Sequence, residues 1–131
     1  MRFLLDTNAL SSLAARHPAF MARSRRYSTA DFGISAIVAF EFQFGILRSA
    51  RAEANAENFR RLRLEVVPFD ADDSAAAAAV RANLATLGSP IGPYDTLIAG
   101  QALARDLTLI THNTREFARV PGLKLEDWLA D

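Results

Sequence analysis

The 131-residue chain has no cysteine, so it forms no disulfide and offers no thiolate to a metal. Its two histidines, His17 and His112, are too few to build a zinc site without cysteine. No apolar run approaches the ~18 residues of a membrane-spanning helix. Arg2 is followed by only three apolar residues before Asp6, too few for the core of a secretory leader. These absences predict a cytoplasmic protein with no membrane contact. Lysine is nearly missing too: fourteen of the fifteen basic residues are arginine, whose planar fork suits phosphate. The formal net charge is zero but unevenly spread, +5 up to Arg63 and −5 from Leu64 onward. The basic half could steer nucleic acid, or could equally be a solvated helical face. Arg23, Arg25 and Arg26, with Arg60, Arg61 and Arg63, are its densest stretches and the candidate nucleic-acid contacts. There is no repeat, low-complexity tract or linker, and the length suits a single domain over residues 1–131.

What is present alternates between two periods. Phe3-Leu4-Leu5 runs unbroken into Asp6, as a strand buried on both faces does. The pattern then predicts helices over 7–16 and 19–28, separated by Pro18, and a strand at 33–35. Helices over 36–50 and 51–63 follow, then a strand at 65–69 closed by proline. Asp70 starts a long helix ended by Gly88, and Pro93 opens another that runs to about Arg105. A buried strand at 107–111, a short helix at 115–118 and an edge strand at 123–125 complete the chain. Strands alternating with helices give right-handed crossovers and a parallel sheet flanked by helices, an α/β fold.

Open parallel sheets place their chemistry just beyond the carboxyl ends of the strands, where Asp6 falls. Glu41 lies on the third helix between Ile37, Val38 and Phe44, the stripe expected to face inward, with Gly45 one turn on. A carboxylate there is costly unless paired or bound to a metal. Asp95 enters the first turn of a helix, and Glu116 follows Asn113 by one turn after the last buried strand. Each acid alone has an ordinary explanation: a helix cap for Asp6, a snorkelling side chain for Glu41, the helix dipole for Asp95. Together, several carboxylates cannot share a pocket as anions without a cation, and a hard oxygen-liganded ion such as Mg²⁺ or Mn²⁺ fits. His112 reads as a hydrogen-bonder at a strand end rather than as a ligand.

Four stretches in order carry a resemblance: Leu4 to Asn8; Ser35 through Glu41 to Gly45; Ile91 to Ala99; and Thr111 to Phe117, followed by Val120 to Leu123 and Trp128. Over nearly the whole chain they resemble PIN-domain ribonucleases and, within them, VapC-type toxins of bacterial toxin–antitoxin pairs. The resemblance implies a three-layer α/β/α domain with a central parallel sheet of four to five strands. It also implies a metal-dependent endoribonuclease that cuts structured RNA such as tRNA, forms a homodimer and is silenced by an antitoxin. The matching acids are Asp6, Glu41 and Asp95. At the fourth acidic position Asn113 stands where many relatives have Asp, with Glu116 the candidate substitute.

On that reading Asp6 and Asp95 are direct ligands of Mg²⁺ or Mn²⁺, and Glu41 is a third ligand or holds a water. Thr7, Asn8 and Thr111 support them by hydrogen bonding. The third helix is apolar almost all round, and Phe42 and Ile46 are expected to project away from the sheet toward a partner, either antitoxin or a second copy. Two rivals stand beside this reading. One is an Asp-nucleophile phosphotransferase, weakened by Asn8 where a second acid would be needed. The other is an RNA-binding module with a degenerate nuclease site, made plausible by Asn113.

Overall fold

A computed structural model describes residues 1–129. The opening apolar run is β1 (Phe3–Leu5), with all three side chains buried. Asp6 ends it and caps α1 (Thr7–Ala14). Pro18 then opens α2 (Pro18–Ser24), and β2 (Phe32–Ser35) follows. Next come α3 (Ala36–Arg48), α4 (Ala52–Arg61) and β3 (Glu65–Val67). The chain continues with α5 (Ala71–Thr86), α6 (Pro93–Ala104), β4 (Thr108–Ile110), α7 (Thr114–Phe117) and β5 (Leu125–Glu126). All pairings are parallel, and the five strands lie in the order β3-β2-β1-β4-β5 between helical layers, a three-layer α/β/α fold. The strand order reverses between β1 and β4, so the crevice beyond their carboxyl ends is the switch point at which such sheets bind ligands.

The core fixes this crevice from both sides. Beneath the sheet's amino end Trp128 is buried against Phe3, Phe20, Tyr27 and Phe32, with ring centroids 5.2–5.7 Å from its own. On the other face α5 and α6 pack so closely that a Cβ at Gly100 would overlap the backbone and side chain of Ala77. Buried Asp73 ties these helices together. It accepts from Arg105 Nε (3.1 Å) and Gln101 Nε2 (2.9 Å), while Gln101 also donates to the Pro68 carbonyl (3.0 Å). No helix among the described residues is long and apolar enough to cross a membrane.

Three expectations need correction. The second helix stops at Ser24 rather than Ser28, because a 3-10 turn at Thr29–Asp31 leads into β2 and is capped by Ser28 and Asp31. The edge strand falls at Leu125–Glu126 rather than 123–125, where Lys124 and Glu126 carbonyls accept from Leu109 and Thr111. The phase of α3 is also different. Phe44, expected to face inward, is 56% exposed, whereas Ile46, expected to project outward, is 8% exposed. The cause is α4, which folds back on α3 and sets Phe59 against Phe42 with centroids 5.2 Å apart.

Candidate active site

Asp6 is buried, and its carboxylate is held from two directions. The Ala9 amide donates to Oδ1 at 2.8 Å, and the Thr111 hydroxyl donates to Oδ2. Thr111 follows β4, the strand beside β1, and its own oxygen accepts from the Asn113 amide at 2.9 Å. Burial pushes the Asp6 carboxyl above its ordinary range, against the lowering effect of these donors, and the charge of Glu41 adds to the rise.

Glu41 is brought to the same crevice by Ser35. Ser35 caps α3 at the carboxyl end of β2, with its hydroxyl accepting from the Ile37 amide at 3.1 Å. The Thr7 hydroxyl donates to Glu41 Oε1 at 3.0 Å, so Thr7 orients this carboxylate. Asn8 is exposed and its side chain makes no hydrogen bond among the described residues; its backbone amide is among the donors that lower the Asp6 carboxyl.

Asp95 stands on the first turn of α6, and Glu116 on α7 faces it. Glu116 accepts from the Gly92 amide at 2.9 Å and from the Asn113 side-chain amide at 2.6 Å. These donors hold Glu116 below the usual carboxylate range. Asp95 moves the other way and is pushed up to about 7. Burial is the main cause, followed by the charge of Glu116 and a hydrogen bond with it, then the charges of Asp6 and Glu41. Asn113 therefore supplies the donor that fixes Glu116, and Glu116 supplies the fourth carboxylate. Gly92, which the sequence reading passed over, belongs to this arrangement. Its amide binds Glu116, and a side chain there would point at the Asp95 and Glu116 carboxylates.

Among the described residues none of these four acids forms an ion pair. The donors are all oxygen, which suits a hard divalent ion. No three of them are drawn together tightly enough to enclose an ion by themselves. His112 lies outside the group, with Nδ1 3.0 Å from Asp127 Oδ2, as expected of a strand-end hydrogen-bonder.

The structure does not bring the predicted arginines to the acids. Arg23 donates to Glu126 at 3.1 Å and lies over the Trp128 ring at 5.6 Å. Arg25 and Arg26 are exposed, but they adjoin Tyr27, which packs on Phe3 and Arg2 at the amino end of β1, opposite the acids. Arg60 and Arg61 are paired with Glu57. Charge counting carries no phase, so the sequence could not show this. Phe42 and Ile46 do not project into solvent. With Thr7, Glu41, Gly45 and Phe59 they line a cleft of about 430 Å³ between α1, α3 and α4 that opens beside Glu41. The apolar residues of α3 that do reach solvent are Phe40, Phe44 and Leu47.

The family model described as "PIN domain" matches residues 3–123. The tRNA(fMet)-specific endonuclease VapC of Salmonella typhimurium is 37% identical over 131 residues, 98% of each chain. Among solved structures, the DNA-bound VapBC from Salmonella typhimurium superposes with a TM-score of 0.91 at 36% identity over 98% of each chain. VapBC2 from Rickettsia felis, bound to a DNA fragment from its promoter, gives 0.90 at 33% identity over 98% of this chain and 99% of that one. With its acids gathered at the switch point of a five-stranded parallel sheet, and with these relatives matching it end to end, the chain belongs to the PIN-domain ribonucleases of the VapC type.

Proposed function

We propose that the chain is a Mg²⁺-dependent endoribonuclease toxin that cuts structured RNA, with tRNA the first class to test, and that a cognate antitoxin neutralises it. One observation carries the reading: Asp6, Glu41, Asp95 and Glu116 meet at one crevice with no ion pair among the described residues. Burial, with the neighbouring carboxylates adding to it, raises Asp6 and Asp95, and such buried acids cost stability unless something cationic is bound. The Salmonella relative's specificity for tRNA(fMet) supports tRNA as the substrate, and the solved VapBC complexes support an antitoxin partner.

Asp6 and Asp95 would hold Mg²⁺ or Mn²⁺, with Glu41 as a third ligand or as the acceptor for a water. Bound there, the ion lowers the pKa of an attacking water and offsets charge on the scissile phosphate. The chain's own residues do the rest. Thr111 and the Ala9 amide lock the Asp6 carboxylate, Thr7 orients Glu41, and Gly92 with Asn113 fixes Glu116 against Asp95. Burial and its acidic neighbours push Asp95 up to about 7, so a bound cation would favour the loss of its proton. The cleft beside Glu41, walled by Phe42, Ile46 and Phe59, suits an amphipathic antitoxin helix, and exposed Phe44 and Leu47 suit a homodimer seam.

Purified protein incubated with bulk bacterial tRNA and Mg²⁺ tests the activity. Cleavage should stop with EDTA. It should fall in Asp6→Asn and Asp95→Asn by more than the roughly 100-fold typical of losing an outer partner of a metal site. Undiminished cleavage by folded Asp95→Asn would overturn the reading.

A further inference from the structure

Two exposed aromatic rings meet at the junction of α3 and α6, the helices that carry Glu41 and Asp95. Phe40 precedes Glu41 on α3 and is 55% exposed, and Tyr94 precedes Asp95 on α6 and is 44% exposed. Their rings meet across the seam between the two helices, with centroids 5.9 Å apart and planes at 75°. Exposing two large rings is unfavourable, and no core requirement explains it. Further along α3, Phe44 is covered by the Arg48 guanidinium at 5.7 Å, but among the described residues Phe40 and Tyr94 stack only on each other. Edge-to-face pairing holds the two rings in fixed positions and leaves a π-face open to solvent.

We infer that Phe40 and Tyr94 form a stacking platform for an unpaired RNA base next to the scissile phosphate. The inference rests on the endoribonuclease reading. Each ring is carried by the residue preceding an acid, and the two helices meet where Glu41 acts on Asp95, so a base laid on the pair would bring its own phosphodiester toward the crevice. Unstacked bases in RNA loops are commonly recognised on aromatic side chains, and such stacking tolerates different bases because every base has a π-face. The platform would favour a splayed loop nucleotide over a base held in a helix, selecting loops within structured RNA without hydrogen bonds to base edges. The roles are positional: the rings place the phosphate, and the acids hold the ion.

The test uses the full chain with bulk bacterial tRNA and Mg²⁺, followed by mapping of fragment ends. A hairpin oligoribonucleotide spanning the mapped site is then made with its natural base, or with an abasic ribose, at the nucleotides flanking the cut. Tyr94→Leu and Phe40→Leu keep apolar bulk and lose the ring. Each should lower kcat/KM on the natural hairpin by roughly 10- to 100-fold, with most of the loss recovered by Tyr94→Phe. An abasic residue at one flanking position should cost the wild type a similar factor and cost Tyr94→Leu little more, because both changes remove one interaction. Independent losses that multiply, or an abasic hairpin cut as well as the natural one, overturn the platform and leave the nuclease assignment standing. So does conversion of the leucine variants from dimer to monomer in sedimentation with the abasic hairpin still cut normally, which would assign the rings to a subunit seam. No cleavage of any RNA by the wild type overturns both readings.

Discussion

Removing a catalytic acid should make this protein more stable at alkaline pH. The Asp95 carboxyl has its pKa pushed from 3.8 to about 7 by burial and by Glu116, Asp6 and Glu41. A carboxyl whose folded pKa lies above its unfolded value binds extra protons in the folded state. Its stabilising contribution is complete below the unfolded pKa and is lost as pH rises through the folded one. Fully converted, a shift of this size is about 4 kcal/mol at 1.36 kcal/mol per unit. Asp95 is partly open to water, so screening reduces this to about 2 kcal/mol. More than half of that is already lost by pH 5.5, which leaves about 1 kcal/mol, a fall in Tm of roughly 3–5 °C between pH 5.5 and 8.5 in EDTA.

Asp6 is raised as well, so it contributes a slope of the same sign. Glu116 and Asp73 are lowered, and their contributions disappear only as pH falls below the ordinary carboxylate range, outside the window. Asp95→Asn keeps the shape and replaces the shared proton with an amide that can donate to Glu116 at every pH. The variant should therefore melt higher than wild type at pH 8.5 and show at most half the wild-type slope. Mg²⁺ at pH 8.5 should raise the wild-type Tm far more than the variant's, because ligand stabilisation follows affinity. Circular dichroism melts in 0.5-unit pH steps make the measurement, and titrating groups away from the crevice cancel between the two proteins. A wild-type Tm that is flat or rising across the window would refute the electrostatic argument. So would an Asp95→Asn slope equal to that of wild type.

Glu116→Gln should shift the Mg²⁺ dependence of cleavage to higher concentration well beyond Asn113→Ala. It removes the fourth carboxylate, whereas Asn113→Ala removes one of its two donors. A Mg²⁺ titration unmoved by Glu116→Gln would mean that three acids suffice. Gly100→Ala should cost more than the roughly 1–3 kcal/mol usual for an overpacked core, since its Cβ would meet the Ala77 backbone rather than a side chain that can rotate away. Urea melts at pH 7 check this, and a loss below 1 kcal/mol would show that α5 and α6 are free to separate.

The parts of this protein legible in its sequence are those where one residue has one neighbourhood. Phe3-Leu4-Leu5 could only be a strand covered on both faces, so Asp6 had to emerge at a carboxyl end. Pro93 set the start of α6, so Asp95 had to lie in its first turn. The third helix shows where such reading stops. Its residues are apolar on nearly every side, so the pattern has no phase. The side that is buried was decided by α4, whose Phe59 covers Phe42 while Phe40, Phe44 and Leu47 stay in water. The arginines are less legible for a related reason: their number says nothing about which end of the sheet they occupy, and Arg23 also pairs with Glu126 and lies over Trp128. Glu116 was legible only as an acid one turn after Asn113. Its function depends on the Gly92 amide, 24 residues away along the chain, which brings it to Asp95.

The acids and the core are two sides of one balance. Four carboxylates held in a crevice repel one another, and the donors around them offset part of that repulsion when no cation is bound. The restraint comes from elements that have no chemistry of their own. Gly100 lets α6 lie against Ala77, so the helix carrying Asp95 cannot retreat from the sheet. Asp73, Gln101 and Arg105 fasten the far end of that helix to the Pro68 carbonyl and to α5. Asp6 is fixed by Thr111 of the neighbouring chain segment rather than by solvent. A looser scaffold would relax the repulsion by letting the acids part, and would lose the cation-seeking crevice with it. This is why the variant expected to abolish cleavage, Asp95→Asn, is also the one expected to raise stability at alkaline pH, whereas Gly100→Ala, which touches no acid, is expected to weaken the fold.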